Sequence, residues 1–250
     1  MRQIEALAGR RVKQIACGAN HSMFLMDGGA VYTCGSNDLG QLGHGTKDVF
    51  EMIPLRIETN HIIQESGDRF SYIAAGPQHS VAVATNGNVF GWGDVAEGQL
   101  GSNCGDRVRV QFHTNAERRW CEQKATMIDC FGAAKGIRIT KVECGGDWPT
   151  PSKGAGHTIF VDSNRQCYSI GLNQHGQLGR QTDESDDAWE DQRCAAPVGG
   201  VNDVKQVSCG GNHTAYLLND GTLMTSGEID HGQLGELLIP PLVSMPALSR

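Results

Sequence analysis

The chain has little that would mark a nucleic-acid binder, a membrane protein or a secreted one. No run of five basic residues occurs; Arg10, Arg11 and Lys13, and the pair Arg118-Arg119, come nearest. With a net charge of −7 and a pI near 5.7, a broad cationic face for phosphates is missing, so nucleic acid is not expected as the main partner. No stretch reaches the roughly 18 apolar residues of a spanning helix. The longest uncharged apolar run, Leu237 to Leu248, is broken by Pro240, Pro241 and Pro246. No signal-peptide apolar core is present, and the nine cysteines follow no disulfide spacing. These absences predict an intracellular protein in a reducing compartment, cytoplasm or nucleus first, with an organelle left open.

Catalytic signatures are missing too. There is no G-x-x-x-x-G-K-[ST] phosphate loop, no H-E-x-x-H and no G-x-S-x-G. Gly154-Ala155-Gly156-His157 is not followed by a βαβ unit, which a dinucleotide fingerprint needs. Cys104, His113, Cys121 and Cys130 are zinc-ligand types, but their separations of nine, eight and nine residues contain no C-x-x-C pair. Ordinary loop thiols are the favoured reading. The sequence therefore predicts no catalytic residue, no metal and no cofactor.

What is abundant is glycine, 33 residues, and it is periodic. Gly-Gln-Leu-Gly occurs four times, beginning at Gly40, Gly98, Gly176 and Gly232. Nineteen residues before each stands a histidine: His21, His79, His157 and His213. Gly35, Gly93, Gly171 and Gly227 hold one further place, and Gly18, Gly76, Gly154 and Gly210 precede the histidines by three. Lead-in segments repeat as well: Val12 to Gly18 nearly matches Val204 to Gly210, and in the third copy nine residues are inserted before the histidine. After each histidine an apolar run leads to a turn at Asp27-Gly28, Asn86-Gly87, Ser163-Asn164 or Asp220-Gly221, then to a second strand; a further short strand is expected near Pro54 and Pro197.

A catalytic residue is needed once, whereas this histidine recurs with its whole frame. The four histidines and the glycines at 40, 98, 176 and 232 are therefore read as structural, each histidine satisfying backbone groups inside its own unit. Cys17, Cys144 and Cys209 share a register and are read as small buried apolar residues. The units predict an all-β chain of blades with about four antiparallel strands each, set radially as a β-propeller. One domain over 1–250 is expected, with repeats near 12–69, 70–138, 139–203 and 204–243.

The pattern G-x-x-H, strand, turn, strand, G-x-x-x-x-G-Q-L-G resembles the regulator of chromosome condensation family of seven-bladed propellers, over residues 12 to 243. The resemblance implies a protein-binding scaffold, non-catalytic and a subunit of a larger assembly. The alternative it implies is a guanine-nucleotide exchange factor for a small GTPase. Only four repeats are visible, so a partial propeller with open end faces, and with self-association, is expected. Trp92, Trp120, Trp148 and Trp189 fall in different registers, which argues against the light-sensing role known in the family.

Function is expected in three insertions, 102–136, 146–153 and 183–191, because loops on a rigid frame carry it more often than the frame. The candidate partner-binding residues are Trp148 and Lys153 in the second, Arg118, Arg119 and Trp120 in the first, and Asp186 and Asp187 in the acidic third. Residues 116–120 are expected to form a short helix. For each loop a bland reading stays open: Trp148 folded onto its blade, an inert excursion, and a solvated acidic face.

Overall fold

The computed structural model describes residues 2–46, 48–58, 67–101, 108–111, 118–132, 135–147, 156–182 and 194–235, with the side chains of 108–111 and 118–120 left out. After a 3₁₀ turn at Glu5–Leu7, every described element is a strand. The first sheet holds β1 (Val12–Cys17), β2 (His21–Met26), β3 (Val31–Ser36) and β4 (Phe50–Arg56) in sequence order. The second holds β5 (Phe70–Ala75), β6 (His79–Ala84), β7 (Val89–Asp94), β8 (Val108–Gln111) and β9 (Arg118–Ile128), in the order β5-β6-β7-β9-β8. The third holds β10 (Ile139–Gly145), β11 (His157–Asp162), β12 (Cys167–Gly171) and β13 (Ala196–Pro197). In the fourth, β14 (Val204–Cys209), β15 (His213–Leu218) and β16 (Leu223–Gly227) are described. All pairings within the sheets are antiparallel.

The repeat spacing becomes register. In each sheet the histidine pairs with the glycine fourteen residues later: His21 with Gly35, His79 with Gly93, His157 with Gly171 and His213 with Gly227. Those glycines have φ between 104° and 120°, and a Cβ there would lie 2.3–2.5 Å from the carbonyl oxygen preceding the histidine, so only glycine fits. The β2–β3 hairpin and its counterparts turn on a left-handed residue eight after the histidine: Gly29, Gly87, Arg165 and Gly221. In the first copy that residue is Gly29, one beyond the expected Asp27-Gly28 pair. In the third it is Arg165, a non-glycine residue whose guanidinium reaches Asp203 at 2.9 Å.

The core lies between sheets. Met23, Leu25 and Val31 of the first sheet meet Ile73, Phe90 and Trp92 of the second. Val81, Val83 and Val89 meet Val142, Phe160 and Ile170 of the third. Ile159, Val161 and Cys167 meet Val207, Tyr216 and Met224 of the fourth. Each enclosed sheet is thus apolar on both faces, which is why residues 81–84 and 159–161 read as unbroken apolar runs and β6 and β11 are buried throughout. At about 1.5–3 kcal/mol per buried large side chain, these junctions dominate the folding energy.

One expectation is corrected. Residues 118–120 do not open a helix: they begin β9, which pairs with β8 through Arg109–Trp120, Val110–Arg119 and Gln111–Arg118 and then forms the outer strand against β7. Cys121, Ala125 and Ile128 are buried along it, spacings of four and three that imitate a helix and arise here because the register against β7 shifts between Gly91 and Gly93. The 102–136 insertion therefore contains a blade strand.

Candidate interaction site

Each Gly-Gln-Leu-Gly turn is built the same way. Its first and last glycines are left-handed, at φ between 64° and 87° in all four copies. The glutamine side-chain oxygen accepts the backbone N–H two residues before it, at 2.9, 2.9, 2.9 and 2.8 Å for Gln41, Gln99, Gln177 and Gln233. The leucine is buried. With its side chain occupied locally, the glutamine presents its backbone carbonyl to the next sheet.

That carbonyl ends a relay. Ser80 Oγ donates to the Gln41 carbonyl at 2.9 Å, and His21 Nε2 lies 2.8 Å from the same hydroxyl. Thr158 Oγ1 repeats this between Gln99, 2.7 Å, and His79, 3.1 Å. Thr214 Oγ1 does so between Gln177, 2.9 Å, and His157, 3.0 Å. A hydroxyl has one proton, and here the carbonyl takes it, so the imidazole must donate from Nε2. The histidines were expected to bond within their own blade. The structure corrects this for three of them: His21, His79 and His157 bond across the junction to the next sheet.

The rings of His21, His79 and His157 are neutral. Burial lowers His21 to a pKa of about 4, and His79 and His157 to about 3, with neighbouring histidines lowering the last two further. The Nδ1 atoms of His21 and His157 have no hydrogen-bond partner, so a second proton would be buried unpaired. Space is just as restrictive: a Cβ on Gly18, Gly76, Gly145 or Gly210 would lie 2.1–2.3 Å from its histidine's Cε1. In the third copy this place belongs to Gly145, before the inserted residues, while Gly154 lies outside the described residues. Buried, neutral and hydrogen-bonded through Nε2, the imidazoles of His21, His79 and His157 are joints.

The inner strand ends converge on a shallow mouth of about 250 Å³ that includes Cys17, Ala75, Cys144 and Cys209. Cys144 and Cys209 rim the mouth and pack against the core clusters as expected of small apolar residues, whereas Cys17 is exposed, against that expectation. Burial pushes the Cys144 and Cys209 thiols upward, which keeps them protonated and poorly nucleophilic. Of the zinc-type set, Cys121 is buried with its thiol pushed up to about 12, Cys130 is partly buried, and Cys104 and His113 lie outside the described residues. No cluster of three metal-ligating side chains occurs among the described residues. Among them, too, no helix is long and apolar enough to cross a membrane.

Of the predicted partner-binding residues, Arg118, Arg119 and Trp120 sit on the β8–β9 hairpin at the outer edge of the second sheet. Trp148, Lys153, Asp186 and Asp187 lie outside the described residues. Sequence reasoning missed the hydroxyl residues of the relay. The signal was present: Ser22, Ser80, Thr158 and Thr214 each directly follow a repeat histidine.

Small antiparallel sheets stacked face to face and stitched by one repeated relay define a β-propeller. Two profiles of the Regulator of chromosome condensation (RCC1) repeat match the chain, one at residues 12–41, 70–99 and 204–233, the other at 28–83 and 166–217. The chain belongs to the regulator of chromosome condensation repeat family. It is 33% identical to the ultraviolet-B receptor UVR8 of Arabidopsis thaliana over 93% of its length and 45% of that protein's. Against the X-linked retinitis pigmentosa GTPase regulator of Mus musculus it is 30% identical, over 93% of this chain and 25% of the other. The crystal structure of Prp20p from Saccharomyces cerevisiae, reported with its binding to Gsp1p and histones, superposes with a TM-score of 0.70 at 24% identity, over 94% of this chain and 49% of that one. The chain thus spans half or less of the length of these proteins.

Proposed function

We propose that the chain is a non-catalytic propeller scaffold, intracellular and in the cytoplasm or nucleus, that binds other proteins as a subunit of an assembly. Its repeats run near 12–69, 70–138, 139–203 and 204–243, and its partners are chosen by the segments inserted between blade strands. One observation carries this reading. At the three junctions the recurring polar side chains, the histidine, the hydroxyl and the glutamine, are committed to turns and to the neighbouring blade, leaving recognition to what differs between blades. Trp148, Lys153, Arg118, Arg119, Trp120, Asp186 and Asp187 are the anchors we assign, since aromatic and arginine side chains dominate interface energies. The test is quantitative affinity purification with Trp148→Ala and with Arg118→Ala/Arg119→Ala. Named partners lost at unchanged melting temperature support the reading. An unchanged partner set moves recognition to another surface.

A second reading, nucleotide exchange on a small GTPase, is favoured by one specific observation: the structural neighbour Prp20p is reported with its binding to Gsp1p. Release of a fluorescent guanine nucleotide from purified small GTPases tests it, and acceleration by catalytic amounts of this chain would replace the scaffold reading.

A further inference from the structure

Eight cysteines stand among the described residues, all as free thiols. Six of them, Cys17, Cys34, Cys121, Cys144, Cys167 and Cys209, sit inside strands, where ladder bonds fix the backbone. Cys17 and Cys34 pair with Ser22 from its two sides, so two strand spacings, roughly 10 Å, hold them apart. A disulfide needs its Cα atoms within about 7 Å. Cys144 and Cys209 belong to different blades, and each sulfur is turned onto the hydroxyl of its own blade, Thr158 or Thr214. The remaining two, Cys130 and Cys194, lie outside strands, one in the turn after β9 and one in the bend before β13.

These two come from different blades, and packing brings their segments together. Phe131, next to Cys130, stacks on Phe160 and Tyr168 of the third sheet, with ring centroids 4.6 and 5.8 Å apart. Tyr168 is paired with Pro197, and Ser169 with Ala196. The chain leaving β9 and the chain entering β13 therefore flank the same ring. Cys130 and Ala195 border one apolar cluster, and the Ala195 backbone N–H faces the Cys130 sulfur. That nitrogen belongs to the peptide bond Cys194 itself forms, so the Cys130 sulfur rests on its neighbour's own peptide group. Cys194 is held in place from the other side: Arg180 Nη2 donates to its carbonyl at 3.1 Å, while Arg180 Nε bonds Ser169 Oγ at 3.1 Å.

The two thiols are not equivalent. Cys194 is exposed, whereas Cys130 is partly buried, and that burial pushes its thiol up. A reagent in solution meets Cys194 first, with Cys130 waiting beneath it. This is the arrangement of an entry thiol and a resolving thiol.

We propose that Cys130 and Cys194 form a reversible dithiol site, which hydroperoxides oxidise to a disulfide joining the second and third blades at their outer rim. In the first step the Cys194 thiolate attacks hydrogen peroxide. An S–O bond forms, the O–O bond breaks, and the departing hydroxide leaves as water with one proton. In the second step the Cys130 sulfur attacks the Cys194 sulfur of the sulfenic acid. The S–S bond forms, the S–O bond breaks, and hydroxide takes the Cys130 proton as a second water. In sum, two thiols and one peroxide give one disulfide and two waters, and a dithiol reductant reverses the change. The link would fix the frame three residues beyond the acidic insertion 183–191.

Peptide mapping by mass spectrometry tests the site on the full 250-residue chain. The protein is reduced, freed of reductant, exposed to hydrogen peroxide, alkylated and digested without reduction. The expected main cross-link is Cys130 to Cys194, lost on treatment with dithiothreitol and formed faster in the folded chain than in urea. Cys194→Ser should abolish it and leave Cys130 open to alkylation. In Cys130→Ala, Cys194 should stop at the sulfenic acid, which dimedone traps. Three outcomes overturn the proposal: a different dominant pair, Cys194 oxidised in the folded wild type without a link to Cys130, or a link that forms no faster in the folded chain than in urea. Should Cys130→Ala lower the melting temperature, the wild-type map and Cys194→Ser decide the matter, since Cys194 is exposed and its replacement disturbs no core.

Discussion

Ile73 and Ile15 are the same amino acid at the same place in two blades, yet one is sealed in a junction and the other faces solvent. The contrast extends over whole faces. Between the first and second sheets, an indole, a hydroxyl and an imidazole converge on one carbonyl turn above an apolar layer. On the back of the first sheet the register is unchanged, but Cys34 replaces the indole and a groove replaces the turn. A repeat of this kind therefore does not carry a fixed energy per copy. The stabilisation belongs to the junction, and the same side chain is worth much in a filled one and little at an open face.

The sharpest way to break that comparison is at the indole place. Trp92→Ala removes a fully buried ring and its bond to Gln41, and should cost about 3–5 kcal/mol. Cys34→Ala at the matching place should stay within about 1 kcal/mol. Chemical denaturation measures both, and equal losses would mean that the blades do not differ by position. The isoleucine pair comes next. Ile73→Ala should cost about 2–4 kcal/mol and Ile15→Ala under about 1 kcal/mol in dilute, monomeric solution.

Acid separates the two regions by charge. His21, His79 and His157 have folded pKa values of about 4, 3 and 3, below the unfolded value of about 6.5. Below pH 6.5 the unfolded chain takes up protons that the native junctions refuse, so stability falls as pH falls from there toward the folded values. At pH 5 the loss is on the order of 2 kcal/mol for each such histidine, from about 1.4 kcal/mol per pH unit. Melting curves at pH 7 and pH 5 should show the drop, and His79→Gln should make it smaller; a pH-independent melting temperature would sink the assignment of neutral buried rings. The smallest effect concerns the glutamines. Gln14→Ala breaks a paired backbone contact and should cost about 1 kcal/mol, whereas Gln206→Ala should leave the melting temperature of the monomer unchanged.

The frame was legible because its causes are local. A left-handed turn excludes side chains, so the glycines at 40, 98, 176 and 232 stand out in the text, and a strand alternates faces, so His21 must pair near Gly35. The outer strand β9 was not legible. It lies deep in an insertion, and its partner β7 precedes it by more than twenty residues, so the short segment Ala116 to Trp120 was read as a helix on local propensity alone.

By itself, the sequence determined the repeat, its turns and the strand register, since each depends on residues close together in the chain. Tertiary structure alone decided what the repeated groups bond to. The partner of His21 is Ser80, 59 residues away, and no spacing inside one unit reveals a contact made between units. It also decided that Ile15 is a surface residue and Ile73 a core one. Burial of a two-faced sheet depends on whether another sheet lies against it, and that is a fact about neighbours, not about the residue.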